Sequence, residues 1–384
     1  MKNNILLGKG AMIYLDYNAT TPIVPEVFQA MRPFLEGEFG NPSSDYPLGL
    51  KAKEAVAEAR RQVAALLSCR PQEIVFTSGA TEANNTVLKG VARLKRQGQI
   101  ITTAIEHPAV LAPCRDLASQ GFEITILPVD SLGLADPEEV RRAITKKTIL
   151  ISVMHANNET GALQPISEIG EIARAEGVWF HTDAAQSVGK VPVKVGELQV
   201  DFLTLAGHKF YAPKGVGALY VRPGCAFNPL LHGASQEGGR RAGTENVPYL
   251  VALGEACRMA RERVAPDGPH LKSLRDLLHQ RLLSGFPELR LNGPEEERLH
   301  NTLKVSFPGF SGSAILGGIP ELAASLGAAC HSGEETISPV LAAMGVTPDA
   351  ARGAVRLSVG RPTTAAEVER AAELLLERVR VLQG

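Results

Sequence analysis

Seven short runs of β-branched, aromatic and aliphatic residues recur through the first two thirds of the chain, with helical patterns between several of them. They are Glu73–Phe76, Gln99–Thr103, Glu123–Val129, Thr148–Met154, Val178–His181, Phe202–Leu205 and Val216–Val221. Each has the length and content of a buried strand. Pro137–Ile144 and Pro165–Glu176 read as helices, and another is expected to begin at Thr81. Strands that alternate with helices are joined by crossovers rather than hairpins, and crossovers lay helices on both faces of a sheet. The expectation is an α/β chain whose large domain, residues 16–262, holds a central, mostly parallel seven-stranded sheet. Beyond residue 262 the texture changes. A charged amphipathic helix over Gly268–Leu283 is followed by LNGP, a strand at Thr302–Phe307, a helix near Ala314–Leu326 and a last helix from Thr364. This predicts a smaller α+β domain, residues 263–384, with residues 1–15 packing on it.

With 384 residues, 44 % of them hydrophobic, the chain can bury two cores. A net charge of −1 gives no electrostatic reason to expect nucleic acid or an acidic membrane as partner. No apolar run is long enough to span a bilayer, and the stretch Ile5–Leu7 near the start is too short for a secretory signal. Cys69, Cys114, Cys225, Cys257 and Cys330 are scattered, with no CxxC pair. That pattern speaks against a disulfide framework, a zinc site or an iron–sulfur cluster, and for a reducing, cytoplasmic setting.

Three segments carry chemistry. In GHKFYAPKG, Lys209 directly follows a hydrophobic strand, at the kind of strand end where open α/β sheets collect ligands. A lysine there forms a Schiff base if its surroundings lower its pKa. Alone it would be an ordinary turn lysine. In HTDAAQSVGK, Asp183 closes another strand. It suits either a helix cap or the carboxylate that keeps a pyridinium nitrogen protonated, so that the ring acts as an electron sink. In TSGATEANN a glycine turn leads from strand to helix, where backbone N–H groups and the Thr81 hydroxyl would bind a phosphate.

Those segments, with YLDYNATTP, FGNPSS, Glu106-His107, MHANNETG, RRAGTEN, AACHSG and VRLSVGRPTT, occur in the order found in cysteine desulfurases, which the chain resembles along nearly its whole length. That family belongs to the class V aminotransferase group and includes the selenocysteine lyases. The resemblance implies the pyridoxal-phosphate (PLP) transferase fold of the aspartate-aminotransferase type, fold type I. It implies that Lys209 carries PLP and moves the substrate Cα proton, and that Asp183 pairs with the pyridinium nitrogen. His107 would stack on the ring and transfer protons. Gln186 and Asn158 would contact the ring hydroxyl and the substrate region, and Ala80, Thr81 and His208 the phosphate. Thr244 would reach the phosphate of a partner subunit, which implies a homodimer. Arg356 would clamp the substrate carboxylate through its bidentate fork. Cys330 would take the substrate sulfur as a persulfide and hand it to an acceptor protein or a thiol. A thiolate is needed there, and neighbouring His331 would favour it. The other four cysteines read as small buried hydrophobes.

Three positions depart from the common pattern. Ala206 stands where many members have a phosphate-binding serine. GNPSSDYPLGLKAK lacks a histidine often found there, and the catalytic loop reads AACHSG rather than SACTS. Each is similar to selenocysteine lyases, so L-selenocysteine stands beside L-cysteine as a substrate. Another class V transaminase or lyase would keep its activity without Cys330. A non-catalytic sulfur-binding protein would be colourless when purified.

Overall fold

The computed structural model describes residues 12–327 and 337–384. Strand β1 is Ile13–Tyr14, and helices α1 (Pro25–Glu36) and α2 (Pro47–Leu67) follow. The central part runs β2 (Ile74–Thr77), α3 (Ala80–Lys95), β3 (Gln99–Thr103), α4 (Pro108–Ser119), β4 (Glu123–Leu127), α5 (Pro137–Ala143), β5 (Thr148–Ser152), α6 (Ile166–Ala175), β6 (Trp179–Asp183), α7 (Val195–Leu198), β7 (Phe202–Ala206) and β8 (Gly217–Val221). Helix α8 (Val247–Gly285) leads to β9 (Arg290–Leu291), β10 (Thr302–Ser306), α9 (Gly312–Gly317), β11 (Leu322–Ala323), α10 (Pro339–Ala343), α11 (Pro348–Arg352), β12 (Ala354–Ser358) and α12 (Ala365–Gln383).

The seven expected strands join in one sheet of order β2-β8-β7-β6-β5-β3-β4. Its neighbours are parallel except around β8, which runs antiparallel to β2 and β7. Strands β6, β7 and β8 are buried almost throughout, as strands covered by helices on both faces must be. Aliphatic and aromatic side chains from both faces, such as Ile101, Phe180, Leu205 and Leu219, have no exposure. A second apolar cluster surrounds the antiparallel sheet β12-β10-β9 and takes in Leu303, Val355, Leu375 and, from the N-terminal side, Ile13 and Leu15.

Two expectations need correction. The helix expected over Gly268–Leu283 is the latter part of α8, which begins at Val247 and passes through Pro266 and Pro269. Those prolines remove backbone donors and read as a break. Burial overrides them: Ala256 and Ala260 pack in the first core while Leu271, Leu274 and Leu278 pack in the second. The helix expected near Ala314–Leu326 ends at Gly317. Gly317, Gly318 and Pro320 stop it. The chain then forms β11, parallel to β1. Helices α1 and α2 have no counterpart among the expectations; each starts with a proline in its first turn.

Candidate functional site

In a mostly parallel sheet the strand ends point to one edge, and the predicted site residues gather there. Asp183 ends β6, Lys209 closes the turn after β7, Ala80 opens the helix after β2, and Asn158 follows β5. Together with Thr81, His107, Gln186, His208 and Arg356 they line one cavity of about 610 Å³. Thr244 lies outside this cavity and is exposed. Cys330 and His331 lie outside the described residues.

The Lys209 ammonium donates to the backbone carbonyls of Asn18 (2.8 Å) and Ala19 (2.9 Å). Burial, aided by the Arg356 charge, brings its pKa down to about 8 despite the opposing pull of Asp183 and Asp16. An amine at that value is partly unprotonated near neutral pH and can act as a nucleophile or base. The Asp183 carboxylate is fixed from two sides, accepting from Asn84 Nδ2 (2.6 Å) and from the backbone N–H of Ala185 (2.9 Å). His107 caps α4, its Nδ1 accepting from the Ala109 N–H at 3.0 Å. That bond puts the proton of the neutral ring on Nε2. Desolvation holds the His107 pKa below its ordinary value, with Asp183 opposing and Lys209 reinforcing.

Gly79, Ala80 and Thr81 also line the cavity, at the start of α3, whose N-cap Gly79 supplies no side-chain cap. Its first N–H groups therefore present an anion site. Gly79 has φ +149°, a conformation that favours glycine, with open space where a Cβ would be. His208 also lines the cavity, and Ala206 presents a methyl there rather than a hydroxyl. Arg356 reaches in from β12, an edge strand of the three-stranded sheet. Its Nη2 donates to Asp16 (2.6 Å) and its Nη1 to the Asn158 carbonyl (3.0 Å), while Nε is buried with no partner among the described residues.

Four contributors were missed in the sequence. Asn84 holds Asp183, Asp16 holds Arg356, and Asn18 and Lys190 bond to each other and to Gln186. All four lie inside the quoted motifs, but Asp16 and Asn18, short polar side chains at a turn, also read as ordinary caps. Of the other cysteines, Cys114 and Cys257 are buried as expected, whereas Cys69 and Cys225 are half-buried at the edges of two cores. Burial raises all four thiols, Cys225 to about 11 and Cys69 and Cys114 to about 12. None carries the reactivity of a thiolate.

The aminotransferase class-V family model matches residues 13–371. The chain belongs to that family, among its cysteine desulfurases. It is 44 % identical to cysteine desulfurase IscS of Dictyoglomus turgidum over 96 % of either chain. With the IscS of Methanosarcina thermophila it shares 46 % identity over 97 % of this chain and 93 % of the relative. Among solved structures, a NifS-like protein superposes with a TM-score of 0.90 at 37 % identity, covering 96 % of this chain and all of that one (100 %). SspA in complex with cysteine gives 0.80 at 37 % identity over 90 % of this chain and 98 % of its own.

The family is PLP-dependent, and the donor set here fits that group. An uncapped helix start suits a phosphate, an anchored buried carboxylate suits a pyridinium, and a lysine with a depressed pKa suits the aldehyde carbon. No helix among the described residues is long and apolar enough to cross a membrane.

Proposed function

We propose that this chain converts L-cysteine to L-alanine as a PLP-dependent cysteine desulfurase, with its sulfur passing first to Cys330. The observation that carries the reading is the Lys209 amine, its pKa brought to about 8, in one cavity with Asp183 and Arg356. When bound, PLP supplies an electron sink that loosens the bonds at the substrate Cα and, next to it, the Cβ–S bond.

The chain's residues divide the remaining work. Arg356 binds the substrate carboxylate with its unpartnered Nε and a neighbouring Nη, held in orientation by Asp16. Ala80 and Thr81 would hold the phosphate with His208, and Asp183 the ring nitrogen; all four line the cavity. Gln186 and Asn158, which line the cavity, would contact the ring hydroxyl and the substrate. Lys209 takes the proton from Cα and returns a proton in a later step, and the Nε2–H of His107 serves the substrate side. The Cys330 thiolate attacks the substrate sulfur. An S–S bond forms, the Cβ–S bond breaks with its electron pair going to carbon, and protonation of that carbon leads to alanine. The persulfide on Cys330 then passes to an acceptor protein or a thiol.

Thr244, exposed and outside the cavity, suits a contact to the cofactor phosphate of a second subunit in a homodimer. Residues 16–262 form the large domain and 263–384 the small one in this reading, and the scattered cysteines fit a cytoplasmic protein. The methyl of Ala206 in the cavity and the sequence AACHSG favour one second reading, a selenocysteine lyase releasing alanine and selenide.

The test is purified protein reconstituted with PLP and given L-cysteine with a reducing thiol. Equal amounts of alanine and sulfide are expected, with neither from Lys209→Ala. A yellow wild-type protein that releases no alanine from L-cysteine contradicts the proposal.

A further inference from the structure

We propose that Lys190 is a positioning residue that fixes which way the Gln186 amide faces, so that the cavity meets a hydrogen-bond donor at this point and not an acceptor. Lys190 takes no part in the chemistry assigned above and does not line the main cavity. Its residue exposure is only 9 %, and its Nζ donates to Gln186 Oε1 and Asn18 Oδ1, both at 2.8 Å. Both partners are amide oxygens, and the charged groups that act on it, Lys209 and Arg356, are cations, with no carboxylate among them. Burial is the larger influence, and all three lower its pKa. A buried lysine without a carboxylate is costly to fold, and an apolar side chain would fill the same space more cheaply.

What the lysine supplies is polarity. An amide can turn over, exchanging its oxygen for its NH2 group at little steric cost. Gln186 is prevented from doing so at both ends. Its Oε1 faces Lys190, which donates, and its Nε2 donates to the Asn18 carbonyl (2.9 Å), which can only accept. Asn18 is itself held: its Oδ1 accepts from Lys190 and Asn301 Nδ2, and its Nδ2 donates to Thr302 Oγ1 and the Asn158 carbonyl. Gln186 lines the cavity, and one of its two amide hydrogens remains for a ligand oxygen there. Removing the Lys190 donor releases the Oε1 side of the lock.

This inference rests on the PLP reading, in which that ligand oxygen is the ring hydroxylate. A donated hydrogen bond favours the ionised form. The experiment titrates apoprotein with PLP and follows the pH midpoint of the bound cofactor's visible absorption in wild type, Lys190→Met, Gln186→Leu and the double variant. Lys190→Met is expected to raise the midpoint by about one unit and weaken PLP binding about tenfold. Gln186→Leu should do the same, and the double variant should add nothing to it. Lys190→Arg, which keeps donors, should hold the midpoint within a few tenths of wild type. Wild-type protein that takes up no PLP would refute the cofactor reading. Normal uptake with an unmoved midpoint in Lys190→Met, or additive shifts in the double variant, overturns the role of Lys190. So does a folded Lys190→Arg protein whose midpoint moves as far as that of Gln186→Leu.

Discussion

Replacing Arg356 with lysine keeps the charge and removes the fork. Arg356 is nearly buried, its side chain 5 % exposed, and it is aimed by two bonds, to Asp16 and to the Asn158 carbonyl. Its Nε has no partner, so the guanidinium still offers one buried donor beside an Nη that a carboxylate can share. A lysine ammonium in that place can keep Asp16 or meet the substrate, but it cannot hold both in the same geometry. Losing one charge-assisted hydrogen bond costs about 1.5–3 kcal/mol, or roughly tenfold to 150-fold in affinity. Because the carboxylate is bound alike in ground state and transition state, the loss should fall on KM for L-cysteine while kcat changes little. The assay is initial-rate sulfide release in the presence of a reducing thiol at varied L-cysteine, with cysteamine, which has no carboxylate, as comparison. Wild type should strongly favour cysteine and Arg356→Lys should lose most of that preference. An unchanged KM, or an equal fall in rate on both compounds, refutes the reasoning.

Three other outcomes follow from the same geometry. The Lys209 amine must lose its proton before it can attack, so the rate of PLP uptake by apoprotein should rise with pH through a midpoint near its pKa of about 8; a midpoint near 10 contradicts the burial argument. Lys304, fully buried, donates to Glu159 (3.2 Å) and to the Leu326 carbonyl, while Ser338 donates to the same Glu159 (2.7 Å). Lys304→Met strands the buried carboxylate and should cost about 3–5 kcal/mol in urea unfolding, and a loss under about 1 kcal/mol contradicts that. Gly79→Ala forces a side chain into φ +149° at the phosphate end, so PLP affinity should fall about tenfold for about 1–3 kcal/mol of strain, whereas wild-type affinity would show that the turn adapts.

The sheet was legible because each of its strands is a compact apolar run bounded by polar turns, and strand ends in such a sheet define a ligand edge. Lys209, Asp183 and Ala80 each stand directly after such a run, which marks them for that edge. The course of α8 was not legible, because Pro266-Asp267-Gly268-Pro269 carries every local mark of a turn and only packing of its two halves in separate cores keeps it helical. The supports of the site were hidden for a related reason. The bond from Asn84 to Asp183 joins residues far apart in sequence, and so do those from Asp16 to Arg356 and from Asn18 to Thr302. Nothing in local spacing marks such partners, even when each lies inside a recognisable motif.

The central claim is that Cys330 takes sulfur from cysteine while the cavity around Lys209 does the rest. Its most direct test is alanine release from L-cysteine and L-selenocysteine in parallel, by wild type and Cys330→Ala, each loaded with PLP. Wild type should release alanine from both, and the variant should lose turnover of cysteine while keeping that of selenocysteine. Unchanged cysteine turnover in Cys330→Ala would contradict the account, and alanine from selenocysteine alone in the wild type would make the protein a selenocysteine lyase instead.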